Sequence, residues 1–112
     1  MNKKPLFEDV DFADSVYRSC EMNDDILTVY LDSWDAKTLR IIFSHPIQFS
    51  YKLRDFVQGA FEVFDNPSLN EALLLKYVKL PENHPFKLFQ ILDISDFPIF
   101  EIVAEKATVI KE

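Results

Sequence analysis

The sequence predicts an α+β domain, mainly antiparallel β, in which about seven strands form a curved meander, a sandwich or a half-open barrel with one α-helix packed on it. Short segments in which apolar and polar residues alternate recur between turn residues, which is typical of half-buried strands. One segment, at about residues 68–80, has helix start and stop signals instead. The chain has 112 residues, of which 48% are hydrophobic, so a single domain spanning residues 1–112 with one core is expected.

The first two strands are predicted to form a hairpin over residues 16–22 and 26–33, joined by a turn at residues 23–25. Leu39 belongs to the next alternating segment. Because paired residues share a face of the sheet, Leu31 should oppose Leu39, which requires an odd-length connection or a bulge. The apolar face of the first strand is predicted to carry Val16, Cys20 and Met22.

Four more strand segments are predicted after the one that contains Leu39. Residues 47–53 alternate without fault and give the clearest half-buried pattern in the chain. Residues 57–64 form a weaker strand, interpreted as an edge, in which Gly59 indicates a bulge or a close backbone approach. Residues 86–92 and 99–110 are interpreted as two closing strands, with a bulge in the second.

The single predicted helix covers about residues 68–80. Ser68 and Glu71 fit a capping box, and Pro81 requires the helix to stop by the residue before it. At about 100° per residue, the core-facing stripe would consist of Leu69, Ala72, Leu73, Tyr77 and Leu80. The apolar residues outside this stripe are Leu74, Leu75 and Val78. They require cover from the chain's own arm and loops, from a protein partner or from a second copy in a homodimer.

The chain is acidic, with a formal charge of −7 from 19 acidic and 12 basic side chains. This charge is the opposite of what a nucleic-acid-binding protein carries, so a nucleic-acid partner is not expected. Residues 8–35 hold nine carboxylates and one base, Arg18. Their concentration either serves solubility or forms a docking surface for a basic protein partner.

Hairpin pairing would gather much of this charge at one end of the domain, beside the single tryptophan. An acidic N-terminal arm, residues 1–13, enters at the same end and is expected to be either flexible or docked. Charge would speed the encounter with a basic partner, and the indole would supply binding area. The alternative is that the tryptophan packs inward and the acids are solvated. The candidate partner-binding residues are Glu8, Asp9, Asp11, Asp14, Asp32, Trp34 and Asp35.

No motif predicts catalysis, a metal site or a cofactor. Gly59 is the one glycine, which excludes the glycine-rich phosphate-binding loops. His45 and His84 each precede a proline, lack metal-ligand spacing and are interpreted as turn residues. Cys20 lies on the predicted apolar face and is interpreted as a small core residue. No catalytic residue is therefore assigned, and an enzyme is not expected.

The lone cysteine and the N-terminal composition predict a cytoplasmic protein. Cys20 cannot form an internal disulfide, and the first residues lack the apolar stretch of a signal peptide. No uncharged apolar run approaches the ~18–20 residues needed to cross a bilayer, so a membrane protein is not expected.

The segments from Asp14 to Tyr17 and from Leu27 to Phe43 resemble small uncharacterised bacterial proteins, some of which are grouped with immunity proteins of polymorphic toxin systems. The resemblance includes no motif that contacts a toxin, so it assigns no residue a role. It implies a cytoplasmic protein that neutralises a cognate toxin by binding. The acidity would suit a basic nuclease or a similar target.

Three functions are therefore considered. The first is a protein-binding module, such as an immunity protein or an inhibitor of a basic partner. The second is a β domain that binds a small ligand, or catalyses a reaction, in a pocket lined by its many Phe and Tyr side chains. The third is a homo-oligomer with a structural role, joined through the helix face of Leu74, Leu75 and Val78.

Overall fold

The computed structural model describes residues 3–52 and 56–112, and the alternating segments of this part form antiparallel strands in two sheets. Within the described residues, one helix interrupts the strands between the sixth and the seventh. The elements are β1 (Lys3–Pro5), β2 (Val16–Asn23), β3 (Ile26–Asp32), β4 (Thr38–Ser44), β5 (Gln48–Tyr51), β6 (Val57–Val63), α1 (Pro67–Lys76), β7 (Lys87–Asp93), β8 (Pro98–Ala104) and β9 (Lys106–Lys111).

The two sheets share one corner, where the chain passes from one to the other twice. The larger sheet has the order β1-β6-β7-β8-β5, and the smaller has the order β2-β3-β4-β9. Residues 45–47 lead from β4 into β5, and Glu105 alone separates β8 from β9. The amide of Glu105 donates to the Ser44 carbonyl at 2.9 Å, and the amide of Ile47 donates to the Val103 carbonyl at 2.8 Å. These hydrogen bonds fix the position of the two crossing segments relative to each other.

The prediction of a mainly antiparallel β fold with one helix is confirmed, whereas the predicted count of about seven strands is wrong. The described residues contain nine strands. One reason is that β1, three residues long and ending in Pro5, has no alternation to detect. The other is that the predicted strand 99–110 divides at Glu105, because its two halves pair in different sheets.

The core lies between the sheets, and β3 and β4 contribute to it by strict alternation. The inward residues of β3 and β4 have no solvent exposure, and Leu31 pairs with Leu39 as predicted. Five residues, Ser33 to Lys37, separate the two strands, which is the odd-length connection that this register requires. Phe43 of β4 meets Phe89 of β7 across the interior, with ring centroids 5.6 Å apart.

A bulge in β2 reverses the facing predicted for the start of that strand. The register shifts between Tyr17 and Ser19, so that Arg18 is the extra residue. Tyr17 and Cys20 therefore both pack against the core, although an odd number of positions, three, separates one from the other. Val16 is exposed, contrary to prediction, and so is Met22 near the end of the strand. Alternation of apolar and polar residues cannot reveal a bulge in advance, because one extra residue moves every side chain on one side of it to the opposite face of the sheet.

The sixth strand, interpreted from sequence as an edge, is internal, and the fifth strand lies at the edge instead. β5 is an edge strand of the larger sheet, and its Phe49 is exposed. β6 was expected at an edge but lies between β1 and β7. The difference arises because β1, contributed by the N-terminal arm, covers β6. Leu53, the last residue of the predicted fifth strand, lies outside the described residues.

Gly59 lies at a bulge, which is one of the two alternatives that the sequence indicated for it. The register between β6 and β7 shifts between Val57 and Gly59, which marks a bulge. A Cβ atom at Gly59 would lie 2.9 Å from Cε2 of Phe61, closer than side chains approach. A side chain at position 59 would therefore require the Phe61 ring to move.

Helix α1 is shorter than predicted at its C-terminal end and has a different N-cap. Asn66 caps it, accepting at Oδ1 from the Ser68 amide at 2.9 Å, and Pro67 occupies the first turn, where it is favoured. The predicted capping box of Ser68 is therefore wrong. Tyr77 is already extended, so the helix ends four residues before Leu80, its predicted end. Pro81 limits how far a helix can continue, but it does not determine where the helix stops.

The helix packs on the outer face of the larger sheet. A second apolar cluster there contains Ala72, Leu73, Phe86, Leu88 and Val103. Leu69 is partly buried against it, but the predicted core residues Tyr77 and Leu80 lie beyond the helix and are exposed. The apolar residues that remain exposed on and after the helix are Leu74, Leu75, Tyr77, Val78 and Leu80.

From Lys3 onward, the N-terminal arm is docked on the domain. After β1, the Leu6 amide donates to the Ala60 carbonyl at 2.8 Å. Phe12 is 4% exposed and belongs to the main core. Ser15 then pairs with Val57, whose amide donates to the Ser15 carbonyl at 2.7 Å. Residues 6–15 thus run between the β6 side of one sheet and the β2 side of the other.

An aromatic cluster between β2, β5 and β8 makes stability sensitive to alkaline pH. Tyr17 lies 4.5 Å from Tyr51 and 5.2 Å from Phe100, measured between ring centroids. Burial is the largest of the causes that together raise the pKa of Tyr17 to about 12 from the usual 10, and a hydrogen bond with Cys20 is the next. The folded state thus favours the neutral phenol. The resulting stabilisation is complete below pH 10 and is lost as the pH rises from 10 towards 12.

We therefore expect Tyr17→Phe to reduce the loss of stability between pH 8 and pH 11. The measurement is the midpoint of urea unfolding at both pH values, compared with the wild-type chain. Tyr77→Phe, which alters an exposed tyrosine, serves as the control. An unchanged alkaline loss in Tyr17→Phe would show that the folded state does not suppress ionisation of this phenol.

Candidate functional site

Several connections between strands lie along one rim of the molecule. Asp93 at the end of β7 pairs with Val57 at the start of β6, and Val57 pairs with Ser15. The next residue, Val16, pairs with Asp32 at the end of β3. Neighbouring strands are about 4.8 Å apart, so this row brings the adjoining loops within roughly 20 Å of one another.

Large apolar side chains are exposed in the loops of this rim. Trp34 is 64% exposed, Phe56 is 55% exposed and Ile94 is 79% exposed. The three residues come from different connections, which follow β3, precede β6 and follow β7. Exposed apolar groups that are gathered among polar ones mark interaction surfaces. We define the loop rim as Asp14, Asp32, Trp34, Asp35, Phe56 and Ile94.

The Trp34 loop is held by hydrogen bonds to Ser33, which is itself buried. The Ser33 amide donates to the Lys37 carbonyl at 2.9 Å, and the Lys37 amide donates to Ser33 Oγ at 3.2 Å. The Ser33 hydroxyl also donates to the Asp35 carboxylate. Ala36 adopts a positive φ of 63°, which tightens the turn. The backbone beside Trp34 is therefore fixed, and the indole is directed outward rather than into the core.

Two of the predicted acidic residues at this rim have basic partners. Asp35 Oδ2 lies 3.0 Å from Lys111 Nζ, and Asp32 Oδ1 lies 3.3 Å from Arg18 Nη1. The Ser33 hydroxyl, followed by Lys111, holds the pKa of Asp35 below its usual value. Asp35 therefore stays ionised under mildly acidic conditions. These two pairs offset part of the local negative charge.

The other four predicted acids lie on the arm or directly after it, and all are exposed. Asp14 directly precedes Ser15 and lies on the loop rim. Glu8 and Asp11 line a shallow groove of about 190 Å³ beside residues 58–61 of β6, and Asp9 lies in the turn between them. In the described part of the chain, none of these four carboxylates has a basic side chain within 4.0 Å. Asp14 and Trp34 thus flank the same end of the β2–β3 pair, while the other three acids extend the acidic surface along the arm.

Sequence reasoning missed Phe56 and Ile94 as rim residues. Hairpin pairing of neighbouring segments predicted the proximity of Asp14 to Trp34. Phe56 and Ile94 reach the same rim because Ser15 pairs with Val57, a contact between distant parts of the chain. One local signal for Ile94 was present, since an apolar residue stands between Asp93 and Asp96 in a connection where polar residues are usual.

A second region with chemically active groups lies at the corner between the sheets. His45 Nδ1 is 2.8 Å from Glu105 Oε2, which joins the two crossing segments. Two open clefts of about 400 and 410 Å³ meet there and share Asp25 and His45. The sequence predicted a turn at His45 but no site, because nothing local relates residues 45 and 105. Further side chains lining the clefts include Glu21, Asp24, Lys76, Tyr77 and Glu105.

Within residues 3–52 and 56–112, no three His, Cys, Asp or Glu side chains converge as metal ligands. In the same part of the chain, no helix has the length and apolar character needed to cross a membrane.

No protein-family model matches this chain, and it has no significant match among curated proteins or solved structures. The fold and the site thus define a small two-sheet antiparallel β domain with an acidic, partly apolar loop rim.

Proposed function

We propose that this protein is a small protein-binding module whose loop rim docks a partner with a basic surface. The observation that carries the proposal is the position of Trp34, 64% exposed on a hydrogen-bonded loop and flanked by carboxylates. An exposed tryptophan loses little conformational entropy on binding when its backbone is already fixed. Such side chains contribute a large share of the binding energy in many interfaces.

The charge around Trp34 favours a basic partner. Asp14 and the arm acids supply unpaired negative charge, whereas Asp32 and Asp35 are partly neutralised by Arg18 and Lys111. Opposite charge on the partner would increase the association rate and exclude acidic competitors. Phe56 and Ile94 would add apolar area at the same rim.

The specific form of this proposal is a cytoplasmic immunity protein or inhibitor that neutralises a basic toxin. Its support is the resemblance of the segments Asp14–Tyr17 and Leu27–Phe43 to small bacterial proteins, some of them grouped with immunity proteins. These segments contain four of the six loop-rim residues. Neutralisation by binding requires no catalytic group on this chain.

Affinity capture with matched rim variants tests the proposal. Three proteins would be immobilised separately, the first being the wild-type chain. The second is a rim variant with Trp34→Ala and Asp14→Asn, and the third is a control variant with Met22→Ala and Asp24→Asn. Met22 and Asp24 are exposed at the opposite end of the β2–β3 hairpin. The target would be the purified product of the neighbouring gene.

We expect the wild-type chain and the control to bind this target equally. The rim variant should bind at least about tenfold more weakly, in line with the loss of a tryptophan hot spot. Binding should also weaken as the salt concentration rises, because the proposed attraction is electrostatic. Equal binding by the rim variant, or a target without a basic surface, would contradict the proposal.

A second candidate function, binding or conversion of a small ligand, is favoured by the corner clefts. Their volumes suit small ligands, and the His45–Glu105 pair is a potential proton acceptor oriented by a carboxylate. One cleft presents mainly apolar surface and the other mainly polar surface. Tyr77 and Phe86 are the Tyr and Phe side chains that line them, unlike the many expected in the aromatic pocket considered from the sequence. A ligand that raises the melting temperature of the wild-type chain but not of His45→Ala would support this function.

A further inference from the structure

The end of the helix and the segment after it form an exposed apolar surface, which we call the apolar tip. Its residues lie within seven consecutive positions. Leu75 is 81% exposed and Val78 is fully exposed, while the other three are between one third and one half exposed. Exposed apolar surface this concentrated is unusual on a monomer and marks an interface. The apolar tip consists of Leu74, Leu75, Tyr77, Val78 and Leu80.

The charges around the apolar tip differ from those on the rest of the chain. Residues 67–85 contain two acids, Glu71 and Glu82, and two bases, Lys76 and Lys79, so the segment is neutral. The remaining residues carry the whole net charge of −7. In the part of the chain that the structure describes, none of these four side chains has an ion-pair partner within 4.0 Å.

We propose that the apolar tip is a homodimer interface, occupied by the same surface of a second copy. A two-fold axis places identical patches against each other, so each copy must supply both signs of charge for the pairing to be attractive. This segment does so, with Glu71 and Glu82 available to Lys76 and Lys79 of the other copy. Pairing with a second copy accounts for a segment that is both neutral and exposed in its apolar residues within a strongly acidic chain.

Other occupants fit this surface less well. A basic partner would favour the loop rim, where the charge is negative, over a neutral surface. An anionic membrane attracts clusters of lysine and arginine, and a segment with balanced charge provides no such attraction.

The size of the apolar tip is adequate for a weak or moderate dimer. Its exposed apolar area is on the order of 500 Å² per copy, so two copies with their polar surroundings would reach the lower end of the ~1,200–2,000 Å² range for specific interfaces. We therefore expect an equilibrium between monomer and dimer rather than an obligate dimer.

The first test measures the mass of the full chain by sedimentation equilibrium over a range of concentrations up to about millimolar. We expect a reversible dimer in the wild-type chain. Leu75→Glu and Val78→Glu should each weaken the dimer at least about tenfold, because each would bury a carboxylate. Neither should unfold the monomer, since both side chains are exposed. Ile94→Glu, an equally exposed residue on the loop rim, is the matched control and should dimerise like the wild type.

A charge-exchange experiment tests the identity of the occupant. A chain with Lys79→Glu and a second chain with Glu71→Lys and Glu82→Lys should each self-associate more weakly than the wild type. Mixed together, they should form a heterodimer more stable than either homodimer, since opposite charges then face each other.

A wild-type chain that is monomeric at every concentration would overturn the proposal. So would a dimer that persists in both glutamate variants, because it would use another face. A tip that binds only a different protein would give a monomer in the same experiment. None of these outcomes bears on the loop rim, so the two proposals fail independently.

Discussion

Replacing Phe12 by alanine is expected to lower the free energy of unfolding by about 3–5 kcal/mol, the usual range for removing a buried phenylalanine. Phe12 is 4% exposed in the main core, and its ring centroid lies 6.2 Å from that of Phe7. It belongs to the arm segment that runs between the β6 side of one sheet and the β2 side of the other. The substitution would therefore leave a cavity where the two sheets are joined by the Ser15–Val57 pair.

Urea unfolding, followed by circular dichroism, measures this loss. Phe56→Ala is the matched control, because Phe56 is 55% exposed and its removal should change stability by no more than about 0.5 kcal/mol. Limited proteolysis gives a second readout, since Phe12→Ala should expose the bonds of residues 6–15 to cleavage. A loss below about 1 kcal/mol would mean that the arm contributes little to the core, contrary to the structure.

Local pattern determined the parts of the fold that depend on neighbouring segments. The alternation of β3 and β4 predicted that Leu31 pairs with Leu39 and that the connection has an odd length, and both are confirmed. The bulge at Gly59 also followed from sequence, because glycine inside a strand pattern has few explanations. In each case, residues close in sequence contain the whole physical cause.

The rest depends on contacts between distant segments. Nothing near Lys3–Pro5 indicates a strand, because the three residues become one only by pairing with β6. The division of β8 from β9 at Glu105 depends equally on distant partners, β7 and β5 for one half and β4 for the other. The bulge at Arg18 has no sequence signal that distinguishes it from regular alternation.

The candidate site divides in the same way. Asp14, Asp32, Trp34 and Asp35 belong to one hairpin and its flanking residues, so pairing of that hairpin predicted their proximity. Sequence could not show whether Trp34 was exposed, since this depends on the buried Ser33 and its bonds to the loop. The apolar residues outside the helical stripe were identified from periodicity, although the helix itself ends at Lys76.

The loop rim and the apolar tip lie at opposite ends of the β3–β4 hairpin. The rim adjoins Asp32 and Thr38, whereas Lys76 and Tyr77 share a cleft with His45, which directly follows the other end of β4. A seven-residue strand is about 23 Å long, so the two surfaces are separated by roughly that distance. A dimer formed through the tip would leave both rims free. Binding to a partner with two matching sites would then gain from multivalency.

The second large effect is expected from Leu73→Ala, which should lower the free energy of unfolding by about 2–5 kcal/mol. Leu73 has no solvent exposure and packs with Phe86, Leu88 and Val103 on the outer face of the larger sheet. This cluster attaches the helix to the sheet. If the neighbouring side chains move into the space left by Leu73, the loss in the free energy of unfolding falls towards the lower end of this range.

Leu75→Ala provides the comparison within the same helix, because Leu75 is 81% exposed. Alanine also has a helix propensity at least as high as leucine, so the stability of the monomer should change by no more than about 0.5 kcal/mol. Urea unfolding of both variants must be measured at low micromolar protein concentration. The proposed dimer is dissociated there and does not add to the measured stability. Equal losses in the two variants would mean that the helix packs through a different face, and the exposed surface of the apolar tip would then have to be reassigned.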